Sequence, residues 1–310
     1  MKVLLDNIYL NSSSGPNHFG RKLKSGLESM GHVCEIDSQK PDVQLSFIET
    51  YMQQPIAPMV LRLDGIYFDI ETDFMIKNQN IFRSYNMASA VIFQSDYSKD
   101  LVFKYFGVHK NYDVVHNGAD LDLIDKIVPM KNNFTKSYDN IWTSASSWYY
   151  GNDHNRPRRW KRLKENIDFF LLYSSPKDCM IVAGDVHQKD MINHDRIFYV
   201  GKLELQELYS LYKASKFFVH LASPDACPNV VVDARACGCK VICSSLGGAK
   251  EIAGLDALVV QEDNWDYNPM DLNGPRPLDL TKICTNSTES IMDMNFVAKK
   301  YEKILNGVKK

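Results

Sequence analysis

The sequence predicts an α/β protein made of two doubly wound parallel sheets that face each other across a cleft, and three observations carry that expectation. The chain has 310 residues, too many for one ordinary core and enough for two domains of roughly 150 each. Short β-rich runs alternate with helical segments, the pattern of parallel strands joined by crossover helices. After a polar stretch the same alternation begins again, so the chain holds two such arrays.

In the first array, residues 2–5 read as a buried strand. The spacing of Phe19, Leu23, Leu27 and Met30 predicts a helix over 17–30, closed by Gly31. Strands are expected over 32–36, 43–47, 59–63, 90–93 and 113–116, with a helix over 98–106 ending at Gly107. Residues 123–139, with Pro129, Lys131, Asn132, Asn133 and Lys136, read as a linker. The second array expects strands over 141–144, 179–183, 196–200, 217–221, 240–243 and 258–260. Its helices are expected over 161–173 and 205–214 and from Asn229 to Ala236, and a last helix over 294–305 carries a basic tail. This divides the chain into domains at 1–128 and 129–289, each Rossmann-like.

Composition narrows the function classes. The chain is 45% hydrophobic and 24% charged, the profile of a folded soluble protein. A net charge of -2 gives no global basic field for nucleic acid or an anionic membrane. The amino-terminal apolar run is broken by Asp6 and Asn7 and is too short for a signal peptide or a membrane span. Seven cysteines without a secretory signal imply reduced thiols and a cytoplasmic location, which would leave the sequons at Asn11, Asn133 and Asn286 unused. Cys227, Cys237, Cys239 and Cys243 lack paired metal-ligand spacing and read as buried thiols. No metal is expected. Asp120-Leu121-Asp122 reads as a chance acidic triplet. No GxSxG elbow, Walker loop or complete GxGxxG is present. Oligomeric state is not legible.

The stretch HLASPDACPNVVVDARACGCKVICSSLGGAKEIAG, residues 220–254, is the most informative. Pro228 suits the first turn of a helix, where a missing N–H costs nothing. The free N–H groups of Asn229 and Val230 would then point out of the helix start, a place for phosphate oxygens and sugar hydroxyls. Asp233, on the first turns of that helix, could accept two hydrogen bonds from a diol. Read without the rest of the stretch, Asp225 would be a helix cap and Asp233 a solvated acid.

The stretch resembles the signature of glycosyltransferase family 4, a retaining family of GT-B fold. There an acid, seven residues and a second acid precede a small-residue helix and a Gly-Gly-x-x-Glu. Here the acids are Asp225 and Asp233, and the last element is Gly247-Gly248-x-x-Glu251. The resemblance implies that Asp225 holds the donor sugar's hydroxyls and Asp233 the ribose. Both are usually Glu in the family, so each side chain here is one methylene shorter.

Further segments fit the same resemblance. Gly15 follows the first strand, where a glycine lets backbone approach a diphosphate. VIFQSDYS and VVHNGAD, between Val91 and Asp120, look like the family's segments at the end of the first domain, and Asn117-Gly118 reads as scaffold. RPRRWKRLK stands at the expected start of the second domain's first helix, as the family's phosphate clamp does. Lys161 matches the clamp lysine, while the arginine has no clean partner, so Arg156, Arg158 or Arg159 must substitute. Leu203, after Gly201-Lys202, is the candidate at the nucleobase edge, and Gly248 belongs to the donor site. The family's catalytic histidine is not evident. Asp64 stands in that region and would orient the acceptor hydroxyl or act as a base, or else make an Asx turn. His18 and His116 lie near strand ends and read as structural.

The resemblance implies a metal-independent hexosyltransferase without cofactor. A nucleotide diphosphate leaves, and the acceptor hydroxyl attacks from the same face. GDP-mannose and UDP-glucose are the leading donors, and the acceptor would be a glycan or glycoprotein held by the first domain. The last helix, 290–310, would cross back onto that domain. A sugar-nucleotide epimerase of the same fold and a non-catalytic nucleotide-sugar-binding protein are the alternatives.

Overall fold

A computed structural model describes residues 1–12, 14–131, 136–151 and 153–309. The first sheet contains β1 (Lys2–Asp6), β2 (Val33–Glu35), β3 (Val43–Phe47), β4 (Met59–Leu63), β5 (Ala90–Phe93) and β6 (Tyr112–Val114). Helices α1 (Gly15–Ser29), α2 (Phe74–Met87) and α3 (Asp96–Phe106) connect them, and α4 (Leu121–Lys126) leads out. All six strands are parallel, in the order β2-β1-β3-β4-β5-β6. β3, β4 and β5 are buried at every position, because helices cover both faces of the sheet and no polar side need alternate with the apolar one.

The second sheet begins with β7 (Asn140–Ala145), followed by a small hairpin of β8 (Tyr149–Tyr150) and β9 (Asp153–Pro157). Then come α5 (Leu163–Tyr173), β10 (Asp178–Ala183), β11 (Ile197–Gly201), α6 (Leu205–Ala214), β12 (Phe217–His220) and α7 (Asn229–Ala236). β13 (Lys240–Ser244), α8 (Ala249–Ile252), β14 (Leu258–Val260), β15 (Ile283–Thr285) and α9 (Met294–Val308) complete the chain. Strand order is β11-β10-β7-β12-β13-β14-β15, parallel except for β15 at the edge. The order reverses between β1 and β3 in one sheet and between β7 and β12 in the other. Crevices for ligands open at the carboxyl ends of such strand pairs.

Two pieces of the second half pack on the first. Val297, Ala298, Tyr301 and Leu305 of α9 share a buried cluster with Phe19, Leu23 and Leu27 of α1. The chain between β14 and β15 also crosses over. Met270 exchanges backbone hydrogen bonds with Phe68 and Ile70, both of 3.1 Å. Trp265 packs at 5.0 Å from Phe68 and 6.2 Å from Tyr97 between ring centres.

Several elements depart from the sequence expectations. The expected linker over 123–139 is helical at its start, because Asp120 caps α4 by accepting a hydrogen bond from the Leu123 N–H at 2.9 Å. Residues 132–135, with Asn132 and Asn133, lie outside the described residues. The basic run does not open a helix. Arg156 lies on β9, residues 159–161 form a 3-10 turn, and α5 starts only at Leu163. Arg162 breaks the path in the left-handed region (φ 53°), held there by a buried two-bond pairing with Glu262 at 2.8 and 2.7 Å. α2 was not expected. Its exposed Met75, Ile76 and Phe82 scatter the apolar residues round the helix and hide its buried face of Ile81 and Tyr85.

Gly118 turns the chain against the start of α9. A Cβ there would lie 2.8 Å from the Met294 Cα, a backbone atom that cannot step aside. Gly118→Ala is therefore expected to lower stability by about 1–3 kcal/mol, read as a fall in thermal midpoint. Wild-type stability would contradict this packing.

Candidate active site

Lys161 and Asp225 are brought together from either side of the β7/β12 switch point. Lys161 ends a 3-10 turn that Arg162, in the left-handed region, closes. Its ammonium meets Asp225 Oδ2 at 2.5 Å and lies 4.0 Å from the Trp160 ring centre. His220, at the end of β12, places Nε2 at 3.3 Å from the same oxygen. The Lys161 and Asp225 side chains are 11% and 14% exposed, and His220 only 2%. Burial by itself would raise the Asp225 pKa, but the Lys161 charge and the His220 contact outweigh it and hold the carboxyl well below the usual range. Burial is also the main cause of the lowered His220 pKa, with Lys161 adding to it and Asp225 opposing.

Glycines let the next loop close on Asp225. Gly247 has φ 102°, and a Cβ there would lie 2.6 Å from the Asp225 carbonyl oxygen. At Gly248 a Cβ would fall 1.8 Å from the Ala226 carbonyl oxygen and 2.7 Å from Ser95, so only glycine fits between the two lobes. Gly248 N–H donates to the Asp225 carbonyl at 2.7 Å. Glu251 then reaches across and accepts the Asp96 and Tyr97 N–H groups at the start of α3, at 2.8 and 2.9 Å. His116 lies 2.9 Å from the same carboxylate. The last acid of the Gly-Gly-x-x-Glu element thus caps a helix of the other lobe.

The starts of two helices converge beside this centre. Asn229, first residue of α7, donates from Nδ2 to the Gly15 carbonyl at the start of α1, at 3.0 Å. Neither helix has an acidic residue in its first turn or a side-chain cap at its N-cap residue. Asn229 Oδ1 is buried without a hydrogen-bond partner. Both helix dipoles therefore point positive ends toward one spot, where a Cβ on Gly15 would lie 3.6 Å from Asn229 Nδ2.

Asp233 sits deeper than a diol-binding acid on an open helix face. It is 4% exposed, and its carboxylate is taken by Lys22 Nζ of α1 at 3.1 Å, with His18 Nε2 at 3.6 Å. Burial pushes its pKa up, but Lys22 first and then His18 bring it below the ordinary value. This pair spans 211 positions of sequence, so nothing local announces it. Asp64, at the end of β4, pairs with the buried Arg62. Burial raises the Asp64 pKa and Arg62 opposes it. Arg62 also donates to Gln94 and Asn117, at 3.1 and 2.9 Å, and Asn117 donates to the Cys227 carbonyl at 2.9 Å. Asp64 is thereby linked by hydrogen bonds to the loop that carries Asp225.

The remaining candidates lie farther from the centre. The Arg158 guanidinium stacks 4.7 Å from the Tyr150 ring centre, and Arg159 is exposed at the 3-10 turn. Leu203 packs against the core under α6. Cys227 is buried and pushed up to about 12, so it is a packing thiol.

Residues 158–267 match the model of a family described as glycosyl transferases group 1. No match was found among the curated proteins. Similar solved structures include Anabaena HepE in complex with UDP-glucose, at TM-score 0.65 and 16% identity over 99% of this chain and 100% of that one. Sucrose-phosphate synthase from Thermosynechococcus elongatus is similar at TM-score 0.64 and 13% identity, with 99% of each chain covered. A glycosyltransferase from Rickettsia africae is similar at TM-score 0.65 and 14% identity, covering 100% and 98%. The fold is GT-B, and fold and matched segment together support a glycosyltransferase. Lys161, Asp225 and Asp233 all fall within the matched segment. Among the described residues, no helix is long and apolar enough to cross a membrane.

Lys161→Ala would leave Asp225 buried with the His220 contact but without its cation, at a cost of about 3 kcal/mol at neutral pH. The depressed carboxyl stabilises the fold above its unfolded pKa of about 3.9 and loses that contribution as pH falls through the folded value. The gap between wild type and variant should therefore be widest at neutral pH and narrow steadily below about pH 4. Denaturation midpoints measured from pH 7 downward check this, and a gap independent of pH would contradict it.

Proposed function

We propose that the chain is a retaining hexosyltransferase that uses a nucleotide diphosphate sugar, UDP-glucose or GDP-mannose, as donor. The observation that carries the reading is the Lys161–Asp225 pair at the β7/β12 switch point, facing the converging starts of α1 and α7. A diphosphate lying against those two helix starts would accept N–H groups near Gly15, Asn229 and Val230 and draw Lys161 toward its leaving oxygen. Asp225, kept ionised beside Lys161 and His220, would accept hydroxyls of the transferred sugar. Gly248 keeps the loop low enough for the sugar to reach Asp225. Arg158 and Arg159 stand just before and within the 3-10 turn that carries Lys161. Asp64 would hold the acceptor hydroxyl, and its raised pKa suits a group that takes up a proton.

The arrangement asks little of covalent chemistry. Departure of the diphosphate leaves positive charge at the anomeric carbon and negative charge on the phosphates. The fixed dipoles and Lys161 stabilise the latter without reorganising. Attack from the face the diphosphate leaves gives retention. Residues near Leu203, at the β11 edge, would meet the nucleobase. A role for Asp233 on the ribose requires its carboxylate to be shared with Lys22, and that occupied carboxylate favours a second reading, a nucleotide-sugar-binding protein without turnover.

Release of nucleotide diphosphate from UDP-glucose and GDP-mannose, without acceptor and with EDTA present, separates these readings. Slow release from one donor is expected, reduced about 10²–10³-fold by Lys161→Ala. Binding of a nucleotide sugar with no release would favour the binding protein. Neither binding nor release would overturn the proposal.

A further inference from the structure

Three exposed tyrosines gather at the carboxyl edge of the first sheet, and the donor reading uses none of them. Tyr9, Tyr51 and Tyr67 are 66%, 71% and 48% exposed. Each follows the end of a strand, β1, β3 or β4. Those strands are neighbours in register, with Asp6 beside Ser46 and Phe47 beside Arg62. The loops therefore surround the β1/β3 reversal, the crevice of this sheet. A single exposed aromatic ring is ordinary on a protein surface. Three around one crevice are not, since packing normally hides such rings.

The group is held from below rather than left loose. The Tyr51 hydroxyl donates to Glu49 Oε1 at 2.9 Å, and Glu49 Oε2 accepts from Asn80 of α2 at 2.7 Å. Arg83 fixes Asn80 at 3.0 Å and the Thr50 carbonyl at 2.8 Å. The bond to Glu49 first, then burial, push the Tyr51 phenol pKa upward, with smaller contributions from the neighbouring Tyr9 and Tyr67. Lys77 lies 5.2 Å from the Tyr67 ring centre and backs it.

Backbone strain sits at the same place. Asn7 (φ 56°) and Ile48 (φ 68°) occupy the left-handed region just before Tyr9 and Tyr51. For a β-branched residue such as Ile48 that conformation is an outlier and persists only where the surroundings enforce it. Here Ile48 N–H donates to the Arg62 carbonyl at 2.7 Å, and Asn7 Nδ2 donates to the Phe47 carbonyl at 2.9 Å. The two turns thereby fix the backbone just before Tyr9 and Tyr51.

The chemistry of the patch selects its ligand. Glu49 sets a carboxylate against the Tyr51 hydroxyl, and that charge disfavours a phosphate or a nucleotide at this ring. Carboxylate, amide and phenol oxygens at the surface disfavour an acyl chain, which would strand them without partners. A pyranose fits both features, with C–H groups on its faces for the rings and hydroxyls on its rim for Glu49 and the phenols. We propose that Tyr9, Tyr51 and Tyr67, with Glu49, form a subsite that holds a neutral sugar ring of the acceptor beside Asp64. This deepens the transferase reading and rests on it.

Saturation-transfer NMR tests the subsite directly, with methyl glucosides, methyl mannosides, maltose and cellobiose as probes. Ring C–H protons of at least one sugar should be saturated by the wild type. Tyr9→Ala and Tyr51→Ala should weaken that signal about fivefold, and Tyr51→Phe should largely keep it. No saturation by any probe, or equal saturation by the alanine variants, would overturn the proposal. Release of UDP from UDP-glucose by the wild type reads the donor function separately. Saturation without release would remove the transferase reading and leave the sugar subsite standing, and release without saturation would do the converse.

Discussion

Asp225 is nearly withdrawn from water yet kept ionised, and much of the surrounding structure makes that possible. An unpaired carboxylate in such a place would take up a proton or unfold its loop. Lys161 supplies the charge, His220 a second contact, and the Gly247-Gly248 turn lets the backbone lie close enough to exclude solvent. Arg162, the next residue after Lys161, adopts a left-handed conformation and is held by Glu262 just past β14. A second, buried ion pair thus stands beside the first, and the two tie the segments after β12 and β14 to the turn before α5.

The same polar groups join the lobes. Lys22 to Asp233, Glu251 to the start of α3, and Asn117 to the Cys227 carbonyl each cross the cleft. With α9 and the Trp265 crossing they fix how the two sheet edges face each other. The convergence of α1 and α7 at Gly15 and Asn229 follows from that placement. Such a meeting of two helix starts is a property of the relation between lobes, and neither lobe contains it alone.

The fold was legible because both sheets are buried on both faces, so their strands read as short apolar runs separated by helical spacing. Lys161 and Asp225 were legible as separate residues, through the basic run and the acid before Pro228, and the structure adds that they meet. Their setting was hidden because it is non-local. Lys22 lies within an ordinary amphipathic helix, Glu262 just past a short strand, and His220 inside the strand expected over 217–221. The basic run suggested a helix start because nothing in it shows that Arg162 would leave helical geometry. Tyr9, Tyr51 and Tyr67 carry no shared spacing and come together only through the order β1-β3-β4.

The central claim is that a nucleotide sugar binds where the two helix starts meet, and Asn229→Asp tests it most directly. A carboxylate at the first position of α7 complements the helix dipole but gives up the hydrogen bond to the Gly15 carbonyl, so the fold should persist with stability lowered by no more than about 1–2 kcal/mol. The same charge would face the diphosphate. Calorimetric titration with UDP-glucose and GDP-mannose should show binding of one of them to the wild type and at least about tenfold weaker binding to Asn229→Asp. Equal affinity in the folded variant would contradict the account and move the diphosphate elsewhere.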